Sequence, residues 1–244
     1  MSEMAPTFLL QGSGEFEPWT AEVERRALAG ASGDGSVAIL PTASAPEGDE
    51  VFDRWGAMGL AHYADIGVSA EVVPVKTRDD AMRDDLAERV EAASMTFFSG
   101  GKPQHLARVL EGTPVFAAIR RAIDRGAVFA GCSAGAMVAS RSRAQSGGRG
   151  GTNWVFGLGI VERVSFGVHW DRMKRLPGIR PFVMARVQPG AWFVGIDERT
   201  AILGDGEEWE VAGLATVTVR HERGTTVYRA GERFSTAAPP SGVG

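Results

Sequence analysis

The chain has 244 residues, enough for one large α/β domain or two small ones. With 44% apolar and 23% charged residues and a formal net charge of −4, its composition is ordinary for a globular protein and gives no electrostatic reason to expect nucleic acid or an anionic membrane as a partner. A single cysteine, Cys132, excludes an internal disulfide framework and a Cys-rich zinc site.

Residues 1–4 lack the basic and apolar segments of a signal peptide, and no apolar run approaches the roughly 18 residues of a membrane span. The expectation is a cytoplasmic protein with one α/β domain over residues 1–234 and a frayed, small-residue tail over 235–244. The first predicted strand, 7–11, ends in Gly12-Ser13-Gly14, and a helix follows over 18–29. Further strands are predicted over 36–40, 71–75, 95–98 and 127–130, with helices over 50–66, 84–92 and 106–125. Apolar strands alternating with amphipathic helices predict an open, mostly parallel sheet with helices on both faces. After residue 191 the texture changes. Residues 209–221 and 225–234 alternate as antiparallel strands around Glu222-Arg223-Gly224, a C-terminal hairpin. Residues 145–151 are expected to form a flexible loop on the active face.

The strand at 127–130 leads into Gly131-Cys132-Ser133-Ala134-Gly135-Ala136, a G-x-S-x-G sequence between strand and helix. Such a turn is a nucleophile elbow: its neighbours must be small, and the serine hydroxyl is pushed out at the carboxyl edge of the sheet. A serine nucleophile needs a general base, and the base needs an orienting acceptor. Four histidines are available. His62 and His105 fall in helical segments with structural roles open to them, whereas His169 ends the apolar run 164–168 and is the candidate base. His221, beside the expected turn, is the second choice. The strand Phe193-Val194-Gly195-Ile196 ends in Asp197 and Glu198, and alternation lets only one of these acids face His169. Glu198 is preferred and Asp197 comes second. The backbone N–H of Ala134 is one expected oxyanion donor, and Gly100-Gly101 is the natural source of the other. No phosphate-cradling glycine motif and no metal-ligand spacing of histidines is present.

Three blocks occur in one order: Phe97-Phe98-Ser99-Gly100-Gly101-Lys102-Pro103-Gln104, the elbow, and His169 with Arg172 and Arg175-Leu176 before Gly195-Ile196-Asp197-Glu198-Arg199-Thr200-Ala201. Together they resemble the peptidase E and cyanophycinase family of serine peptidases, over residues 7 to about 220. The order Ser, His, Glu differs from the Ser, acid, His order of α/β-hydrolases. The resemblance implies a class I glutamine amidotransferase-like, flavodoxin-like three-layer fold. It implies Ser133 as nucleophile, His169 as base, Glu198 as orienter, and an oxyanion hole from Gly101 and Ala134. It further implies hydrolysis of small peptide or isopeptide bonds that follow an aspartyl residue, with Gly100 and Gln104 among the substrate contacts. An aspartyl carboxylate wants a cation, and Arg172, Lys174 and Arg175 are the candidates. No cofactor is implied, and a homodimer is compatible with the family.

The chain departs from the family pattern at two pocket positions. Lys102-Pro103-Gln104 stands where the two best-known branches carry Asp-Gln or Asn-Thr, and Gly167-Val168 precedes the histidine where cyanophycinases have Asp-Gln. Another amide or ester substrate is therefore an open alternative. So are a glutaminase-type reaction through Cys132 and a binding module that keeps only the fold.

Overall fold

The computed structural model describes residues 7–140, 157–179, 181, 187, 190–222 and 224–237. The loop expected at 145–151, Arg223 of the expected turn and most of the expected tail lie outside them.

Four short apolar segments are buried at every position: β1 (Phe8–Gln11), β2 (Val37–Leu40), β4 (Met95–Phe98) and β5 (Val128–Cys132). They lie parallel, with β3 (Ala70–Val72) at the edge beyond β2. Alternation sends their side chains to two separate cores. Leu10, Leu40, Phe98 and Phe129 face one, and Leu9, Ile39, Phe97 and Val128 face the other. Apolar residues on both faces are what a sheet covered on both sides requires.

One core is closed by α1 (Ala21–Ala29) and α2 (Asp49–Asp65), through Val23, Ala27 and Tyr63. The other is closed by α3 (Arg78–Ala81), α4 (Asp84–Ala92), α5 (Pro103–Leu110), α6 (Pro114–Asp124) and α7 (Ala134–Val138). Each fully buried leucine or phenylalanine contributes roughly 1.5–3 kcal/mol, so these alternating stripes hold the layers together.

The later chain adds β6 (Val164–Gly167), α8 (Trp170–Met173), β7 (Trp192–Ile196), β8 (Thr200–Gly204), β9 (Glu208–Gly213), β10 (Thr216–His221), β11 (Gly224–Arg229) and β12 (Arg233–Ser235). Strands β8, β9 and β12 extend the large sheet antiparallel beyond β1, giving the order β12-β9-β8-β1-β5-β4-β2-β3. The others form a second sheet, β11-β10-β7-β6, whose Val164, Phe166, Val194 and Ile196 enter the same core as Phe98.

Four predicted elements are corrected. The helix expected over 106–125 is two, α5 and α6. Thr113 is extended at φ −110°, ψ 160°, as a residue before proline must be, and its Oγ1 caps α6 by accepting from the Phe116 N–H at 3.3 Å. The strand expected over 71–75 ends at Val72, because Pro74 has no N–H for a ladder. The two strands expected over 209–221 and 225–234 are four. Gly213 at φ 104° and Gly231 at φ 84° turn the chain, so β9 and β12 join the large sheet while β10 and β11 form the hairpin of the second.

Candidate active site

The carboxyl ends of β1, β4 and β5 sit side by side and deliver three loops to one edge of the large sheet, where ligands of open α/β sheets bind. Ser133 leaves β5 at φ 50°, ψ −106°, a conformation that costs about 1–3 kcal/mol and persists only when surroundings enforce it. Its N–H donates to the Gln11 carbonyl of β1 at 3.0 Å. The small residues around it are a steric need. A Cβ on Gly131 would lie 2.4 Å from the Gly135 carbonyl carbon, and one on Gly135 would lie 2.2 Å from the Phe98 oxygen. The G-x-S-x-G spacing thus permits β5 and α7 to fold against β4 with the serine at the apex.

His169 follows β6 in a left-handed turn, φ 48°, ψ 38°, at the start of α8. Its Nε2 lies 3.0 Å from Ser133 Oγ, and its Nδ1 lies 3.0 Å from Glu198 Oε1. An ionised carboxylate can only accept, so Nδ1 carries the proton and Nε2 is left to accept from the serine hydroxyl. Glu198 stands in the turn 197–199 that carries the chain from β7 in the second sheet to β8 in the large one. Its N–H donates to Asp171 Oδ1 at 3.0 Å, and Arg172 meets its Oε2 at 2.9 Å. The Arg172 side chain is 74% exposed, so that pair contributes little to stability.

Asp197 is turned the other way, as alternation requires. It is buried, accepts from Thr216 Oγ1 at 2.5 Å, and lies 3.5 Å from Lys174 Nζ. The remaining histidines are engaged elsewhere. His62 contacts Glu24 and Thr20, His105 Nε2 lies 2.9 Å from the Lys76 carbonyl, and His221 stacks on Trp192.

Ala134 is the first residue of α7, so its N–H has no partner within the helix. Gly101 adopts φ 139° and is pressed against Ala43, where a Cβ would lie 2.4 Å from the carbonyl carbon. Its N–H meets no acceptor among the described residues. Gly100 is packed beside Ser133, whose Cβ lies 3.6 Å from the position a Cβ on Gly100 would take. Gln104 is exposed in the first turn of α5, and Arg175 is exposed past α8; neither side chain makes a hydrogen bond among the described residues.

Glu15 escaped the sequence reading. It follows Gly14 past β1, is buried, and accepts from the Gly100 N–H at 2.9 Å and from Cys132 Sγ at 2.8 Å. Burial, and after it the charge of Glu15, pushes the Cys132 thiol well above its ordinary range. A glutaminase-type reaction through Cys132 therefore has no accessible thiolate. Among the described residues no cluster of His, Cys, Asp and Glu could hold a metal ion, and no helix is long and apolar enough to cross a membrane.

The model of peptidase family S51 matches residues 8–212. The chain is 30% identical over 157 residues to the cyanophycinase of Trichormus variabilis, covering 61% of this chain and 52% of that one. It is 28% identical over 195 residues to the cyanophycinase of Synechococcus elongatus, covering 76% and 58%. It therefore spans little more than half the length of these curated relatives. The crystal structure of a peptidase from an acI-B1 actinobacterium superposes with a TM-score of 0.85 at 29% identity, over 95% of this chain and 97% of that one. A peptidase E candidate of Listeria monocytogenes EGD-e shares the fold, with a TM-score of 0.61 at 18% identity over 85% of this chain and 98% of that one.

Proposed function

The chain belongs to peptidase family S51, and on that premise we propose that it is a serine peptidase working through Ser133, His169 and Glu198. The observation that carries this reading is the pair of 3.0 Å links from Ser133 Oγ to His169 and from His169 to Glu198, on a serine held in a strained turn. His169 Nε2 takes the hydroxyl proton as Oγ attacks the scissile carbonyl. The N–H groups of Ala134 and Gly101 stabilise the oxyanion of the tetrahedral intermediate. The imidazolium, oriented by Glu198, gives its proton to the leaving amine, and water then releases the acyl group by the same base.

The proposed substrate is a small peptide or isopeptide in which the scissile bond follows an aspartyl residue. Two curated relatives are cyanophycinases, which supports that class. Of the three candidate cations, Arg172 is engaged with Glu198 and Lys174 with Asp197, so Arg175 is the one assigned here to a substrate carboxylate. The frame and elbow fit a class I glutamine amidotransferase-like arrangement, and the lone buried cysteine fits a cytoplasmic setting.

The test incubates the purified protein and its Ser133→Ala variant with α-Asp-Xaa and β-Asp-Xaa dipeptides and reads products by mass spectrometry. The expected result is cleavage by the wild type alone, with the α or β preference defining the bond. Turnover retained in Ser133→Ala overturns the assignment.

A further inference from the structure

Glu15 lies in the loop past β1 yet is only 7% exposed. A carboxylate withdrawn from water is costly unless its oxygens are occupied. Both are: Oε1 takes the Gly100 N–H and Oε2 takes the Cys132 thiol. Gly100 directly precedes Gly101, and Cys132 directly precedes Ser133. One side chain therefore ties the Gly-Gly segment after β4 to the elbow after β5. The oxyanion donors Gly101 and Ala134 belong to these same two segments, so the distance between them depends on what holds the segments together. On its far side Gly101 is fixed by the Lys102 N–H, which donates to the Ala43 carbonyl at 2.7 Å. On its near side Glu15 supplies the acceptor.

We propose that Glu15 is a positioning residue that sets the oxyanion hole by holding Gly100, an inference that rests on the serine-peptidase reading above. Glu15 does not touch the substrate. It acts through the backbone it anchors, so its loss slows the step in which negative charge develops on oxygen and leaves binding of the uncharged ground state unchanged.

The test uses a fluorophosphonate, whose phosphoryl oxygen occupies the oxyanion position as the probe phosphonylates serine and releases fluoride. The full chain and the variants Glu15→Ala, Glu15→Asp and Glu15→Gln are labelled, kinact and KI are separated, and the melting temperature of each is recorded. The expected result is a kinact about 10- to 100-fold lower in Glu15→Ala and Glu15→Asp with KI nearly unchanged, since neither side chain reaches Gly100. Glu15→Gln keeps an acceptor for the Gly100 N–H and recovers most of the rate. Wild-type rates in Glu15→Ala and Glu15→Asp overturn the inference, as does a Glu15→Gln as slow as the other two, or an effect confined to KI. If Glu15→Ala does not fold, Glu15→Asp against Glu15→Gln carries the comparison. A wild type that is not labelled at Ser133 overturns the serine-nucleophile reading and this inference with it. A labelled wild type with indifferent Glu15 variants overturns the inference alone.

Discussion

Two adjacent acids, Asp197 and Glu198, have been given opposite work by one residue of strand alternation. Glu198 faces His169, whereas Asp197 is buried on Thr216. Glu198→Gln is expected to lower kcat/KM by about 100- to 10,000-fold with little change in melting temperature, because an amide stabilises neither the required tautomer nor the imidazolium. Asp197→Asn should do the reverse, losing about 1–3 kcal/mol of stability from a buried hydrogen-bonded carboxylate while the rate falls less than about tenfold. Kinetics and urea denaturation on both variants check this, and a larger rate loss in Asp197→Asn would exchange the two roles. At this scale the sequence was readable where a residue announces itself locally. Ser133 stands in a spaced small-residue turn, and the two acids end a strand. Glu15 was not readable, because its partners Gly100 and Cys132 are 85 and 117 residues away and only the parallel pairing of β1, β5 and β4 brings them to it.

The elements that sequence periodicity placed well are those whose apolar pattern is long and uninterrupted, such as α2 and the all-buried β1, β2, β4 and β5. It merged elements where the pattern runs on through a turn. Apolar residues at helical spacing in α5, Leu106, Val109 and Leu110, resume in α6 as Val115, Ile119 and Ile123, and only Gly112 and Thr113-Pro114 mark the break. Thr113 is buried, and its hydroxyl both donates to the Leu110 carbonyl at 2.7 Å and accepts from Phe116. Thr113→Ala is therefore expected to cost about 1 kcal/mol in urea denaturation with activity retained. An unchanged midpoint would show that the cap contributes nothing. The C-terminal hairpin stands where it is expected, as β10 and β11, but its expected arms run on into β9 and β12 for a different reason. Alternation looks the same in either sheet, and which sheet a strand enters is decided by tertiary packing, to which a period-two pattern is blind.

Across the whole molecule, two buried groups tie stability to alkaline pH. Burial, reinforced by Glu24, holds the Tyr63 phenol well above its ordinary 10.0, and burial with Glu15 holds the Cys132 thiol well above 9.0. The unfolded chain ionises both at those ordinary values and so binds fewer protons than the native state above pH 9. This stabilisation is complete below pH 9 and is lost as the pH climbs beyond it, by about 1.4 kcal/mol per pH unit for each group once its unfolded form ionises. Tyr63→Phe should flatten the decline, as urea midpoints at pH 7 and 10.5 will show; an unaltered slope would remove Tyr63 from the account. The crossing at 197–199 has a consequence of another kind. Ser133 stands on the large sheet, His169 hangs from the second, and Glu198 occupies the strap between them. With the proposed triad spread in this way, catalysis would gauge how well the two sheets are seated. In a urea titration, hydrolysis should fade before the helical circular-dichroism signal, and coincident curves would contradict this. Since the ribosome builds the chain from its N-terminus, the proposed nucleophile is made well before its proposed base and acid, and the growing polypeptide is expected to stay hydrolytically silent until its last third is in place.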